Sequence, residues 1–125
     1  MTVTTIDLDV DSLKDQLLAE QSNLRTRIQS RLDSIREIKE ANIGRSPEDI
    51  AQENEDRSRF EGENKVDESR LKLVISALRR VDQDEYGFCK ACGDDIEGKR
   101  LAANPAALNC ITCQNRLDTV GKHYR

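Results

Sequence analysis

The chain has 125 residues, 36% hydrophobic and 35% charged, with no Trp and two each of Phe and Tyr. That size admits one domain or one compact module with an extension, and the charge-rich, aromatic-poor balance points to exposed helices or a coiled coil instead of a large core. A formal net charge of −4 and a pI near 5.1 argue against a phosphate-binding surface, because nucleic-acid affinity rests on Lys and Arg displacing counterions.

The N-terminal stretch MTVTTIDLDVDSLKDQ has no basic start followed by an apolar run. No segment approaches the roughly 20 apolar residues that a membrane span needs. A soluble, unsecreted protein is expected, and residues 1–11 read as an N-terminal extension. The four cysteines occur only as two CxxC pairs, which without a signal peptide points to metal binding in a reducing cytoplasm.

From Ser12 to about Asn42 the residues Leu13, Leu17, Leu24, Ile28, Leu32, Ile35 and Ile38 recur at helical steps. Leu17, Leu24 and Ile38 share one heptad position, and Ile28 and Ile35 the other. Downstream, Phe60, Val74 and Val81 share one register and Leu71 and Leu78 the second, with no Pro between Ile50 and Tyr86. Asn42, Gly44 and Pro47 supply turn chemistry between the two stretches. An antiparallel hairpin over 12–85, with its tip near 44–50, would pair residues whose numbers sum to roughly 95 and form a rod of roughly 45 Å. The expected rungs are Ile35 with Phe60, Ile28 with Val66, Leu24 with Leu71, Leu17 with Leu78 and Leu13 with Val81, apolar against apolar at each. Between Ile50 and Arg70 only Ala51, Phe60 and Val66 are apolar, so the distal seam is thin. A dimerising coiled coil is the alternative use of these helices.

The segment CKACGDDIEGKRLAANPAALNCITC separates the pair Cys89 and Cys92 from the pair Cys110 and Cys113 by seventeen intervening residues. This is four-thiolate zinc spacing, each CxxC putting two sulfurs on one tight turn. A redox dithiol or a pair of disulfides would need a context that is not visible here. With sulfur at all four positions the zinc is structural, with no coordination position left for hydrolysis. A finger is thus expected over 86–113, followed by a C-terminal helix and tail over 114–125. The spacing also suits GATA-type fingers, but six acids against four bases from Asp84 to Asp118 oppose DNA binding. His123 belongs to a solvated basic tail on this reading. No nucleophile with its base, no phosphate loop and no open metal position is visible, so an enzyme is not expected.

The all-α arrangement of a long antiparallel hairpin, a small four-cysteine finger and a short C-terminal helix resembles the DksA/TraR family of bacterial zinc-finger transcription factors. The resemblance rests on YGFCKACG, IEGKRLAANPAALNCITC and the tip SPEDIAQ forty residues ahead of Cys89, and covers roughly residues 11 to 122. It implies a monomeric cytoplasmic factor that binds RNA polymerase and inserts its hairpin into the secondary channel, modulating promoter complexes without reading a DNA sequence. It also implies an acidic tip motif DxxDxA. Asp49 and Ala51 match the second acid and the alanine, and Ser46 stands where the first acid would be. The family's alarmone (ppGpp) site requires basic residues, whereas the corresponding positions here are Leu73, Asn104 and Gln114, with Lys72 and Arg100 nearby. A weak or absent alarmone response is therefore expected.

Ser46, Pro47, Glu48 and Asp49 also form a helix-start signature, with Ser46 as N-cap. Residues 46–70 carry nine acids against four bases, a local excess suited to entering a basic channel. Two other readings of the whole chain are a zinc adaptor that grips another protein with its hairpin and a redox sensor whose thiolates lose zinc on oxidation.

Overall fold

The computed structural model describes residues 9–41 and 45–123, with side chains as far as Val120. The expected turn residues Asn42 and Gly44, and the side chain of His123, lie outside the described residues. Among the described residues four helices follow in chain order: α1 Val10–Ala41, α2 Pro47–Asp82, α3 Gly98–Ala103 and α4 Ile111–His123. Among the described residues the only β pairing is one antiparallel bridge between Phe88 and Asp95. The chain is therefore all-α, two long packed helices with a small finger and a C-terminal helix, as the periodicity and cysteine spacing predict.

Both long helices begin on a side-chain cap. Asp9 Oδ1 accepts the backbone N–H of Ser12 at 3.1 Å, and Ser46 Oγ accepts that of Asp49 at 3.2 Å. Each cap satisfies one of the donors a helix N-terminus leaves open. Pro47 occupies the first helical position of α2, where its missing N–H costs nothing. The C-terminal end of α2 is closed by Arg80, whose Nη2 donates to the carbonyls of Glu85 and Phe88.

The contacts divide the chain into two units, Met1–Glu20 with Leu73–Arg125, and Gln21–Lys72. In the first unit Leu13, Leu17, Val74 and Ala77 are buried, and Lys14 faces Asp82 at 3.9 Å. Leu13 also joins the finger residues Ile96, Leu101 and Ala107 in one apolar cluster, with Tyr86 packed against it. In the second unit Leu24 and Ile35 are buried, and ion pairs Arg27–Asp67 at 2.9 Å and Arg31–Glu63 at 3.0 Å cross from α1 to α2. The numbers in both of these pairs add to 94, and those of Lys14 and Asp82 to 96, in line with the antiparallel register read from the heptads.

One rung differs from the expectation of apolar against apolar. Val66, expected opposite Ile28, is 69% exposed, and Leu32 is also turned to solvent. The buried residues at that level of α2 are Asn64 and Asp67. The heptads explain the difference: Asn64 falls seven residues before Leu71, and Asp67 seven after Phe60 and seven before Val74. They are core positions, and Val66 is not. On α1 the matching gap, between Leu24 and Ile38, is Arg31. The thin part of the seam is thus filled by a polar layer.

Candidate metal centre and hairpin tip

The finger begins where α2 stops. Asp84 at φ 58° and Gly87 at φ 92° reverse the chain, and Gly93 at φ 81° closes the first CxxC turn. Around that turn the N–H of Cys89 donates to Asp94 O at 2.7 Å, that of Gly93 to Cys89 O at 2.9 Å and that of Ile96 to Gly87 O at 2.8 Å. These bonds bend the Cys89–Cys92 segment so that both sulfurs face one point. The second pair is held differently. Cys110 O accepts the N–H of Gln114 at 2.9 Å, so Cys110 starts α4 and Cys113 sits in its first turn. The N–H of Lys90 donates to Leu108 O at 2.8 Å and ties one cysteine turn to the approach of the other.

All four sulfurs lie within 4.8 Å of one another, and Cys92 Sγ is 3.9 Å from Cys110 Sγ. A zinc ion with four Zn–S bonds near 2.3 Å gives a tetrahedron with edges of about 3.8 Å. Cys89, Cys110 and Cys113 are buried and Cys92 is exposed. The thiols perturb one another strongly. Burial raises Cys89, but backbone N–H groups of Cys110, Cys92 and Ala91 outweigh it and bring the thiol down to about 6. The adjoining sulfurs of Cys110 and Cys92 push Cys113 up to about 12. Four crowded sulfurs cannot all ionise beside one another unless a cation lies among them, and a soft divalent ion meets that requirement.

Two supports were not legible in the cysteine spacing. The Tyr86 hydroxyl donates to Pro105 O at 2.8 Å, and burial raises this phenol to about 12. Asn109 Oδ1 lies 3.8 Å from Cys89 Sγ, and Arg100 Nε donates to Asn109 O at 3.0 Å. Arg100 is therefore engaged in holding the segment just before Cys110.

Of the residues considered for an alarmone, Arg100 and Asn104 border one open cavity of about 460 Å³ together with Lys99, Glu97, Ala103 and Ile111. Gln114 instead donates to Asp118 Oδ1 at 3.0 Å. Leu73 is exposed, and Lys72 is an exposed residue of the other unit.

At the start of α2, Ser46 acts as the N-cap, and Asp49 and Ala51 are exposed. Glu53, one turn on, pairs with Arg45 at 2.9 Å, whereas Asp49 makes no ion pair among the described residues. The acidic excess of residues 46–70 is largely compensated in three dimensions. The unit Gln21–Lys72 holds twelve acids and eleven bases, because α1 brings Arg25, Arg27, Arg31, Arg36 and Lys39. Counting along α2 alone missed this balance. What stays acidic is local to Glu48 and Asp49 in the first turn.

Residues 84–118 match the prokaryotic dksA/traR C4-type zinc finger family. A solved structure of the transcription factor DksA2 from Pseudomonas aeruginosa superposes with a TM-score of 0.75 at 26% identity, covering 90% of this chain and 85% of that one. The finger of this chain is thus of the DksA/TraR type, and its fold matches that of a DksA2. The family's C4 finger and the clustering of the four thiols together identify a site for one structural zinc ion. The RNA polymerase-binding transcription factor DksA of Haemophilus influenzae is 39% identical over 44 residues, and that of Escherichia coli 36% over 44 residues. The matched segment spans 35% of this chain and only about 30% of the length of these relatives. An uncharacterized protein of Aquifex aeolicus is 24% identical over 116 residues, 92% of this chain and 80% of that protein. Among the described residues no helix is long and apolar enough to cross a membrane.

Proposed function

We propose that this protein is a cytoplasmic transcription regulator that binds RNA polymerase directly and presents the start of α2 inside the secondary channel. In this role Cys89, Cys92, Cys110 and Cys113 ligate the zinc, and zinc fixes the finger without taking part in chemistry. The zinc supplies structure by holding the two cysteine turns together. The residues that act on the polymerase are Asp49 and Ala51, with Ser46 setting the helix start. The observation that carries this reading is the exposed carboxylate of Asp49, without an ion pair among the described residues and held at a capped helix terminus in a chain whose fold matches DksA2. Regulation on this reading involves no catalysis and no recognition of a DNA sequence, and the protein acts as a monomer.

Ser46 replaces the first acid of the tip motif, so a single carboxylate at Asp49 carries the effect. The alarmone contributes little, since Leu73, Asn104 and Gln114 offer no cation, and Arg100 is held by a backbone carbonyl. The test is in vitro transcription with purified polymerase at one ribosomal and one biosynthetic promoter, beside a pull-down on core enzyme. Asp49→Asn is expected to reduce the promoter effect roughly tenfold, the scale of one charge-assisted hydrogen bond, with polymerase binding retained. Unchanged promoter output with Asp49→Asn would remove the tip mechanism, and failure of the wild type to bind polymerase would favour the adaptor reading.

A further inference from the structure

Midway along the unit Gln21–Lys72 the hairpin core is interrupted at three heptad positions at once: Arg31 on α1, and Asn64 and Asp67 on α2. The three side chains form a connected network. Asp67 accepts both Nε and Nη2 of Arg27, at 3.1 and 2.9 Å, and also the Arg31 guanidinium. Arg31 Nη1 donates to Asn64 Oδ1 at 3.2 Å and Arg31 Nε pairs with Glu63 at 3.0 Å. Asn64 Nδ2 in turn donates to the backbone carbonyl of Ile28 at 3.4 Å. Arg31, Asn64 and Asp67 thus each find partners on the opposite helix.

Such a layer is costly to desolvate, and well-packed apolar side chains in its place are commonly neutral or stabilising. Its partners exist in only one alignment of the helices. A slip of one heptad, about 10.5 Å along the axis, would bring Arg31 opposite residues near 57 and 60 and leave the buried Asp67 without its two arginines. Leucine at those positions would accept either alignment.

We infer that the Arg31–Asn64–Asp67 layer is a positioning element, which selects one register of α1 against α2 and so fixes where the first turn of α2, with Asp49, is presented at the end of its own unit. The functional part rests on the proposed role of Asp49, whereas the register claim stands independently of polymerase. No other alignment satisfies the layer, so its contribution is to uniqueness of pairing more than to net stability.

The experiment compares wild type with the triple variant Arg31→Leu/Asn64→Leu/Asp67→Leu, each as zinc-loaded full chain, by denaturant unfolding, sedimentation velocity and methyl NMR of Leu24, Ile28 and Ile35. The triple variant is expected to fold with an equal or higher unfolding midpoint, to show doubled methyl signals or self-association, and to lose promoter activity roughly tenfold. A second variant exchanges every charge of the network, Arg27→Asp and Arg31→Asp with Glu63→Arg and Asp67→Arg, and should regain a single set of methyl signals that Asp67→Arg alone does not. A triple variant that is monomeric with one set of wild-type methyl shifts would overturn the inference, as would one that does not fold, since the layer would then act through stability. Altered register with unchanged promoter output would leave the positioning of the helices standing and count against the role given to Asp49.

Discussion

Asp67 sits in an environment that reverses what burial alone predicts for its type. A buried carboxylate ordinarily resists ionisation, yet the hydrogen bonds from Arg27 and then Arg31 outweigh burial and hold its pKa below the usual carboxylate range. A depressed folded-state value means that Asp67 contributes its full stabilisation above the unfolded pKa, near 4. That contribution disappears as pH falls through the folded value. Amide protection of residues 24–35 and 60–71, relative to the intrinsic exchange rate at each pH, should accordingly fall as pH drops below about 4 in the wild type. In Asp67→Asn the same amides should be less protected already at neutral pH and lose little further protection over the acid range. Ser46 belongs to the same scale. Its hydroxyl holds one N–H of α2, so Ser46→Ala should cost about 1 kcal/mol of local stability, seen as faster exchange of the first-turn amides with the finger unaffected.

At the scale of elements, the helices and the finger were legible in the sequence for different reasons. Heptad spacing of Leu17, Leu24, Leu71 and Val74 reports a seam because burial follows helical period, and the two CxxC pairs report a metal because tetrahedral geometry demands close sulfurs. The polar layer was present in the same pattern, as the gap left by Arg31, Asn64 and Asp67, but a search for apolar residues passes over it and settles on Val66. Tyr86 and Asn109 were not legible, since a hydroxyl reaching Pro105 and an amide beside Cys89 depend on chain reversals that no local spacing encodes. The finger has little else to hold it: one β bridge, the six-residue α3 and a small apolar cluster around Leu101. Removing zinc with a chelator should therefore unfold residues 86–113, visible as loss of the dispersed amide signals of Ile96 and Leu101. The signals of Leu24 and Ile35 should survive, and zinc should restore the finger. Persistence of the finger signals without metal would show that its apolar cluster suffices.

At the scale of the whole molecule, the balance of charge changes how the protein would enter a polymerase. The acidic count along α2 suggests a strongly negative arm, but twelve acids against eleven bases in Gln21–Lys72 leave that unit close to neutral. Long-range attraction to a basic channel would then be modest, and the exposed acids Glu48 and Asp49 would act at short range. The central claim is that these residues lie inside the secondary channel, which on the family resemblance ends near the catalytic magnesium of the polymerase. Replacing the catalytic magnesium of the polymerase with iron and generating hydroxyl radicals there reads that distance directly, since cleavage falls only on chain close to the metal. The account predicts cuts in end-labelled protein confined to the neighbourhood of residues 45–51, abolished by competing magnesium. Binding to polymerase with no cleavage there, or with cleavage in the finger instead, would contradict it.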